Sequence, residues 1–193
     1  MVILKKLSFF VIIALLLNSC DILEQINEAE RFAQCNFSIS GVQLLDIAGV
    51  DISHIKSQSD INVGEMLTIG GALANGKLPT TLNVNINAYN PNTKNAAISG
   101  IDWEVYMKET KYASGKINKR IDILPGQSAS FPLKVQFDLL NIFSSNSLND
   151  ILAFISDGSK ENLKKLDIKA RIKPWYKVGG QIKPAPAAIT IRP

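Results

Sequence analysis

The segment TLNVNINAY, residues 81–89, alternates strictly between apolar and polar side chains. Because successive side chains of a β-strand point to opposite faces, this period of two predicts a strand with one buried face and one solvated face. A chain with several such strands has to cover one side of each, which favours two sheets packed face to face. The predicted buried side chains of this strand are Leu82, Val84, Ile86 and Ala88.

The same alternation recurs in three further segments, 101–107, 131–137 and 166–172, and AAITI, residues 187–191, closes the chain as another strand. Pro132 lacks an N–H group, so its strand is expected to lie at an edge or to begin there. The side chains predicted to face inward in these three segments are Ile101, Trp103, Val105, Met107, Phe131, Leu133, Val135, Phe137, Leu166, Ile168, Ala170 and Ile172.

Two turns and two helices are predicted between the strands. Asn90, Pro91 and Asn92 form a turn because proline ends a ladder and asparagine tolerates φ > 0. Pro125 and Gly126 have the positions that a type II turn requires. Helical spacing is found over residues 60–75, with Asp60 as the cap, Gly76 as the stop, and Val63, Met66, Leu67, Gly70 and Leu73 on the apolar face. It recurs over residues 147–157.

Size and composition fit one globular domain, since the chain has 193 residues, 46% of them hydrophobic and 20% charged. Together with the strand pattern, this predicts a mainly β fold over residues 36–193. The expected architecture is an antiparallel β-sandwich with one or two short helices.

The first residues show the pattern of a bacterial export signal: Lys5 and Lys6 precede an apolar run over residues 7–17. As a helix this run would extend about 16 Å, against roughly 30 Å for a bilayer core. Residues 1–19 are therefore predicted to be a signal peptide rather than a membrane span. The alternative is an uncut signal anchor.

The sequence Leu17-Asn18-Ser19-Cys20 resembles a lipobox, the site cut by lipoprotein signal peptidase. The resemblance implies that the Cys20 thiol receives a diacylglyceryl group. Several acyl chains would then hold the protein stably on a membrane without a transmembrane helix. The implied location is the bacterial cell envelope, and the outer membrane where the cell has one.

The segment between this anchor and the sandwich, residues 20–35, is predicted to be a stalk or short helix, because Ile22, Ile26, Ala29 and Ala33 share one helical face. If Cys20 carries lipid, Cys35 is the remaining thiol and no intramolecular disulfide can form. We expect Cys35 to be a small buried hydrophobe at the start of the first strand. Pairing between chains and a reactive thiol are the alternatives.

Catalytic signatures are missing from the sequence. The single histidine, His54, stands without a cluster of partners, and we find no phosphate loop or nucleophile elbow. Asp102 and Glu104 would share the solvated face of one strand, which a glycosidase pair could also do. We therefore predict a non-catalytic protein with no metal and no cofactor.

Two sets of side chains are candidates for binding. Asn83, Asn85 and Asn87 form a row of amides that offers both donors and acceptors to a client protein or a sugar; otherwise it is the wet face of a sheet. Trp175 and Tyr176 either form an exposed stacking platform or close one end of the sandwich.

Charge is unevenly distributed, because residues 160–193 contain nine basic and two acidic side chains. This basic end either faces an anionic membrane or is the solvated side of terminal strands. Without residues 1–19, which contain Lys5 and Lys6, the chain has 19 basic and 17 acidic side chains, and a net charge of +2 is too small to indicate a nucleic-acid partner.

Residues 78–140 resemble the WHy domain (water stress and hypersensitive response) of the group-2 late-embryogenesis-abundant family. The resemblance rests on the order of several short motifs. They are G-x-L-P at Gly76 to Pro79, NPN at residues 90–92, I-x-P-G-x-S at residues 123–128 and P-L-x-V at residues 132–135. The lipobox followed by Cys35-x-Phe37 is similar to the layout of bacterial lipoproteins of that group.

This resemblance implies a fibronectin-type-III-like sandwich that binds or protects other proteins under water stress. The alternative is an accessory lipoprotein that docks on one envelope partner or carries an apolar or glycan ligand.

Overall fold

The computed structural model describes residues 22–55, 57–107, 109–141, 167–178, 180–185 and 187–192. Most of these residues lie in strands, and every strand pair is antiparallel. The predicted mainly β class with a sandwich architecture is confirmed. The described strands are β1 (Asn36–Ile47), β2 (Val50–Asp51), β3 (Pro79–Tyr89), β4 (Ala96–Ile98), β5 (Gly100–Met107), β6 (Thr110–Ile117), β7 (Ile121–Ile123), β8 (Ser128–Asp138), β9 (Ile168–Val178), β10 (Gln181–Pro184) and β11 (Ile189–Ile191).

Two larger sheets form the sandwich, and β4 and β7 make a small third sheet. The first sheet has the order β2-β1-β3-β8, and the second has the order β10-β9-β5-β6, with β11 also paired to β9. Strand β8 is therefore an edge strand, as Pro132 predicts. The long strands β3, β5 and β9, which the alternation identified, are the central strands that supply most of the core.

The inward faces of both sheets meet in one core. Every predicted inward side chain on β3, β5 and β9 that lies in the described residues is buried, and Leu133 and Val135 on β8 are 0% exposed. Phe137 differs because it is only partly buried at the end of β8, where it touches a second, smaller apolar cluster. Full burial of large apolar side chains is the main stabilising term of such a domain.

The predicted N-terminal helix is present as α1, which covers residues 22–33. Its second half is packed into the core through Ala29 and Phe32, which are 1% and 0% exposed, while Leu23 is 60% exposed. Phe32 was not on the predicted apolar face, although its ring packs against Phe37 of β1 at 5.3 Å between centroids. The C-terminal half of α1 thus belongs to the folded domain.

Cys35 lies directly before β1 and is buried, as expected. Its Sγ is 3.5 Å from the carbonyl oxygen of Arg31, and burial raises the pKa of the thiol to about 11. A thiol with a raised pKa is protonated at neutral pH, which makes it a poor nucleophile.

The second helix, α2 (Val63–Ala74), lies inside the range predicted for it but differs in two details. Its N-cap is Asn62 rather than Asp60: the Asn62 side chain accepts a hydrogen bond from the Glu65 amide at 2.9 Å, and the Glu65 carboxylate accepts one from the Asn62 amide at 2.9 Å. This reciprocal capping box satisfies two free amides. Gly76 ends the helix with φ 69°, as predicted.

The buried face of α2 is also different from the predicted one. Ile69 is 0% exposed and anchors the helix on the smaller apolar cluster, whereas Val63 and Leu67 are 73% and 71% exposed. The prediction assumed that the longest apolar stripe would be buried. The cluster that receives the helix consists of Ile47, Ile52, Ile55, Ile61, Ile69, Leu78 and Leu139.

The NPN segment forms a turn that is fixed by the buried side chain of Asn90. Its Nδ2 donates to the carbonyl oxygens of Lys94 at 3.0 Å and Ile123 at 2.8 Å, and its Oδ1 accepts from the Asn92 amide at 3.0 Å. Asn90 thereby joins β3 to the small sheet. The neighbouring turn at Pro125 and Gly126 is also as predicted, with φ 68° at the glycine.

Some sequence predictions lie outside the described residues. These are the signal peptide, the lipobox residues Leu17, Asn18 and Ser19, the lipidation residue Cys20, and the helix over residues 147–157. Within the part of the chain that the structure describes, neither helix has the length and apolarity needed to cross a membrane.

Candidate binding surfaces

The amide row, defined as Asn83, Asn85 and Asn87, lies on the outer face of β3 in the middle of the first sheet. All three side chains are half-buried. Each is flanked on both sides by the neighbouring strands, and the flanking residues are Gln43, Gly41 and Ser38 on β1 and Lys134, Pro132 and Ser130 on β8. The row is thus the centre of a polar face that is almost free of charge.

Hydrogen bonds within this face leave most of the amide groups available. The hydroxyl of Ser130 lies 3.2 Å from Asn87 Oδ1, and the hydroxyl of Ser40 donates to the backbone oxygen of Asn85 at 3.1 Å. For Asn83 and Asn85, the described residues provide no side-chain hydrogen bond to the amide group. Since each amide has two donor and two acceptor positions, the row can pair with varied polar groups.

Trp175 and Tyr176 were considered as one pair in the sequence analysis, but the structure places their side chains in different surroundings. They are successive residues of β9, so their side chains lie on opposite faces. Tyr176 packs against the main core. The Trp175 indole lies on the outer face of the second sheet, where it covers its cross-strand partner Gly100.

The contact between Trp175 and Gly100 depends on the absence of a side chain at residue 100. A Cβ built there would meet Trp175 Cζ2 at 2.2 Å and the carbonyl oxygen of Ile117 at 2.4 Å, so the space is filled by the indole. The indole is thereby held against the backbone of β5, and Trp175 also lines an open groove.

We call this the Trp175 groove. Its volume is about 740 Å³, within the range of small-molecule sites, roughly 300–1,000 Å³. Residues from both edges of the second sheet line it: β9 and β10 form one side of the groove, and the segment after β6 forms the other. The lining residues are Ser99, Asp102, Lys116, Asn118, Arg120, Trp175, Lys177, Ile182 and Pro184.

Three basic side chains and one acidic side chain line the groove with Trp175. Lys116 Nζ is 3.5 Å from Asp102 Oδ1. Arg120 is bound by Glu28 of α1 at 2.8 Å and by Asp122. Burial opposes the charge of this guanidinium, but the hydrogen bonds with the two carboxylates raise the pKa of Arg120 overall. Arg120 is therefore fixed and charged.

Lys177 differs from the other cations of the groove. Its side chain forms no ion pair with any residue that the structure describes, and its backbone amide donates to the Ser99 hydroxyl at 3.1 Å. The ammonium is therefore available for an anionic ligand.

Asp102 and Glu104 share one outer face, as predicted, and each is matched with a basic side chain on β6. Glu104 lies 3.6 Å from Lys111 and accepts a hydrogen bond from the Tyr106 hydroxyl at 2.9 Å. That hydrogen bond is the main reason why the pKa of Glu104 is lowered. A general acid of a glycosidase needs a raised pKa, so this geometry does not favour acid catalysis.

His54 is half-exposed, and its Nε2 lies 3.4 Å from Glu65 Oε1 on α2. Neither residue lines the Trp175 groove. Among the described residues, no three histidine, cysteine, aspartate or glutamate side chains are grouped so that they could hold a metal ion.

The sequence analysis singled out Trp175 and named Asp102 only as half of a carboxylate pair; it missed the other lining residues of the groove. Gly100 and Trp175 are neighbours only because β5 pairs with β9, and Arg120 reaches the site through the loop before β7. The available signal was the alternation, which places Trp175 and Lys177 on the strand face opposite Ile168, Ala170 and Ile172.

No protein-family model matches this chain, and no curated protein sequence matches it. Several solved structures are similar at low identity, including these three. A crystal structure of a protein from Archaeoglobus fulgidus has 15% identity and a TM-score of 0.32, over 58% of this chain and 80% of that chain. An X-ray structure of a Northeast Structural Genomics Consortium target has 6% identity and a TM-score of 0.36, over 84% and 89%. A solution structure of an Arabidopsis thaliana protein has 12% identity and a TM-score of 0.34, over 81% and 80%.

Proposed function

We propose that this chain is a lipid-anchored, non-catalytic protein of the bacterial envelope, of the WHy type, that binds and protects other proteins when water is withdrawn. The observation that supports this proposal is the amide row on the outer face of the first sheet. In the sequence, it is supported by the lipobox at residues 17–20 and by the order of two turns, NPN at residues 90–92 and LPG at residues 124–126.

The physical reason lies in the chemistry of neutral amides. When water is removed, polar groups on a client surface lose hydrogen bonds, and an unpaired polar group costs free energy. A side-chain amide can replace water both as a hydrogen-bond donor and as an acceptor. Because the amide is uncharged, it does not limit the clients to surfaces of one charge. A row of three amides on a rigid sheet can therefore pair with many different surfaces.

The anchor is tested separately from the protective role. Replacing Cys20 with serine removes the sulfur to which the diacylglyceryl group would be attached. We expect the Cys20→Ser chain to be unprocessed or released from the membrane fraction. Processing and membrane retention equal to those of the unaltered chain would contradict the lipid anchor.

Protection is measured as the activity that a test enzyme retains after drying or freezing with the full chain, compared with an inert protein at equal mass. We expect the chain to protect and the triple variant Asn83→Thr, Asn85→Thr, Asn87→Thr to protect much less. The matched control is Arg171→Gln with Lys173→Gln, on the outer face of the other sheet. Equal protection by the triple variant and the unaltered chain would rule out the amide row.

A second candidate function is an accessory lipoprotein that docks on one envelope partner or carries a ligand, and the Trp175 groove favours it. Crosslinking in intact cells separates the two functions. One dominant crosslinked partner would support docking, whereas many clients would support general protection.

A further inference from the structure

We infer that the Trp175 groove binds an acidic oligosaccharide, that is, sugar rings that carry carboxylate groups. This inference deepens the second candidate function, and it does not depend on the amide row or on protection under water stress. It rests on three features of the groove: an indole in its lining, a lysine that has no ion pair within the described residues, and short polar side chains.

The aromatic part of the lining is suited to a sugar ring. The indole of Trp175 packs against Gly100, and Trp175 also lines the open groove. Pyranose rings have apolar C–H faces that can be buried on an aromatic ring, and buried apolar area is the general source of such stabilisation. Pro184, the cross-strand neighbour of Trp175, extends the apolar surface at one side.

The charge is suited to a carboxylate. Lys177 has no ion pair within the described residues, and Arg120, although bound by Glu28 and Asp122, remains 46% exposed at its side chain. Asp102 is the one acidic lining residue, and its partner Lys116 offsets it. A ligand carboxylate would therefore meet the unpaired ammonium of Lys177, which can donate a charge-assisted hydrogen bond.

The rim is suited to sugar hydroxyls. Asn118 offers an amide, and Ser99 offers a hydroxyl that already accepts from the Lys177 amide. Convergent donors and acceptors around an apolar surface are the usual features of a small-ligand site.

The partial burial of the indole distinguishes this ligand from a membrane surface. A bilayer would touch the exposed side chain of Ile182, which is 61% exposed, whereas Trp175 is half-buried. An oligosaccharide is small enough to enter the groove and contact the half-buried indole, so these exposures favour the sugar.

The test uses the full chain in a zwitterionic detergent and tetragalacturonate as the probe. The protein has two tryptophans, and Trp103 is buried at 7% exposure, so a change in emission on binding reports on Trp175. We expect a saturable change that weakens as salt is added. The methyl ester of the same oligosaccharide, which has the same rings without charge, is expected to bind on the order of tenfold more weakly.

Three variants assign the binding to the groove. Trp175→Leu keeps an apolar cover on Gly100 but removes the flat ring, and we expect roughly tenfold weaker binding by calorimetry. Lys177→Gln is expected to weaken binding and reduce its salt dependence. Lys77→Gln, between α2 and β3, is the matched control and should bind as the unaltered chain does. Retained Trp103 emission in Trp175→Leu shows that the variant is folded.

Four results would overturn the inference, and three of them concern the saccharide itself. They are the absence of saturable binding, equal binding of the acid and its ester, and displacement of the acid by inorganic phosphate at equal concentration. A fourth is a change in Trp175 emission when the full chain is placed in vesicles containing phosphatidylglycerol, rather than phosphatidylcholine alone, without any response to the saccharide. That result would assign the groove to a membrane surface. Enzyme protection is measured independently, so its failure is not confused with failure of saccharide binding.

Discussion

At the scale of single residues, Gly100 is the position on which the Trp175 groove depends. A methyl group at residue 100 would overlap the indole at 2.2 Å and the Ile117 carbonyl oxygen at 2.4 Å. We predict that Gly100→Ala lowers the free energy of unfolding by roughly 1–3 kcal/mol, because the backbone oxygen cannot move away cheaply. Urea denaturation of the full chain measures this change.

The control for this variant is Gly71→Ala. Gly71 is in α2, and a Cβ there meets nothing within 4 Å. Alanine favours a helix over glycine, so this variant is expected to be more stable by about 0.5–1 kcal/mol. Equal effects of the two substitutions would show that the indole does not fill the space above Gly100.

Asn90 is the residue that fixes the NPN turn. Its side chain is 0% exposed and makes hydrogen bonds with Lys94, Ile123 and Asn92. Asn90→Ala would leave buried carbonyl oxygens and an amide without partners. We predict a loss of unfolding free energy on the order of 3 kcal/mol.

The matched control for Asn90 is Asn87→Ala on the outer face of β3, which should change stability by less than about 1 kcal/mol. Both variants are measured by thermal or urea denaturation. A small effect at Asn90 would mean that the turn is held by its backbone hydrogen bonds to Gln127 and Gly126 alone.

At the scale of elements, α2 shows that an apolar stripe and a buried face are not the same thing. Ile69→Ala is predicted to cost about 2–5 kcal/mol, because it empties a fully buried position. Leu67→Ala, at a side chain that is 71% exposed, is predicted to change stability by less than about 0.5 kcal/mol. Denaturation curves of the two variants give the comparison, and a larger cost at Leu67 would restore the face predicted from the sequence.

Strands were predicted more successfully than helices for a physical reason. A strand in the middle of a sheet buries one complete face, so alternation over residues 81–89 leaves a single solution for β3. A short helix at the end of a sandwich can rotate until it fits the cluster below it. In α2, the side chain that packs into that cluster is Ile69. Predicting this would have required the positions of Ile47 and Leu139 in the folded chain.

At the scale of the whole molecule, the two cysteines give a direct test of the proposed anchor. Burial raises the pKa of Cys35 to about 11, so below that pH the thiol remains protonated and shielded. We predict that the membrane-extracted chain shows no thiol that reacts rapidly at neutral pH. After unfolding in denaturant it should show one thiol per chain, because Cys20 would be a thioether.

Counting thiols with a chromogenic disulfide reagent, before and after unfolding, measures both values. Two thiols per unfolded chain would contradict lipidation of Cys20. Rapid reaction of the folded, lipidated chain would contradict the burial of Cys35. Intact mass of the same sample gives the mass of the attached lipid independently.

The sequence by itself determined the β-sandwich class, the inward residues of β3, β5 and β9, the two turns and the burial of Cys35. These follow from local rules: side chains alternate along a strand, and proline, glycine and asparagine restrict the backbone. The tertiary structure decided the face of α2, the packing of Phe32 and the Trp175 groove. Each of these requires residues far apart in the chain to meet, as Gly100 and Trp175 do across two paired strands, and local periodicity contains no information about such pairing.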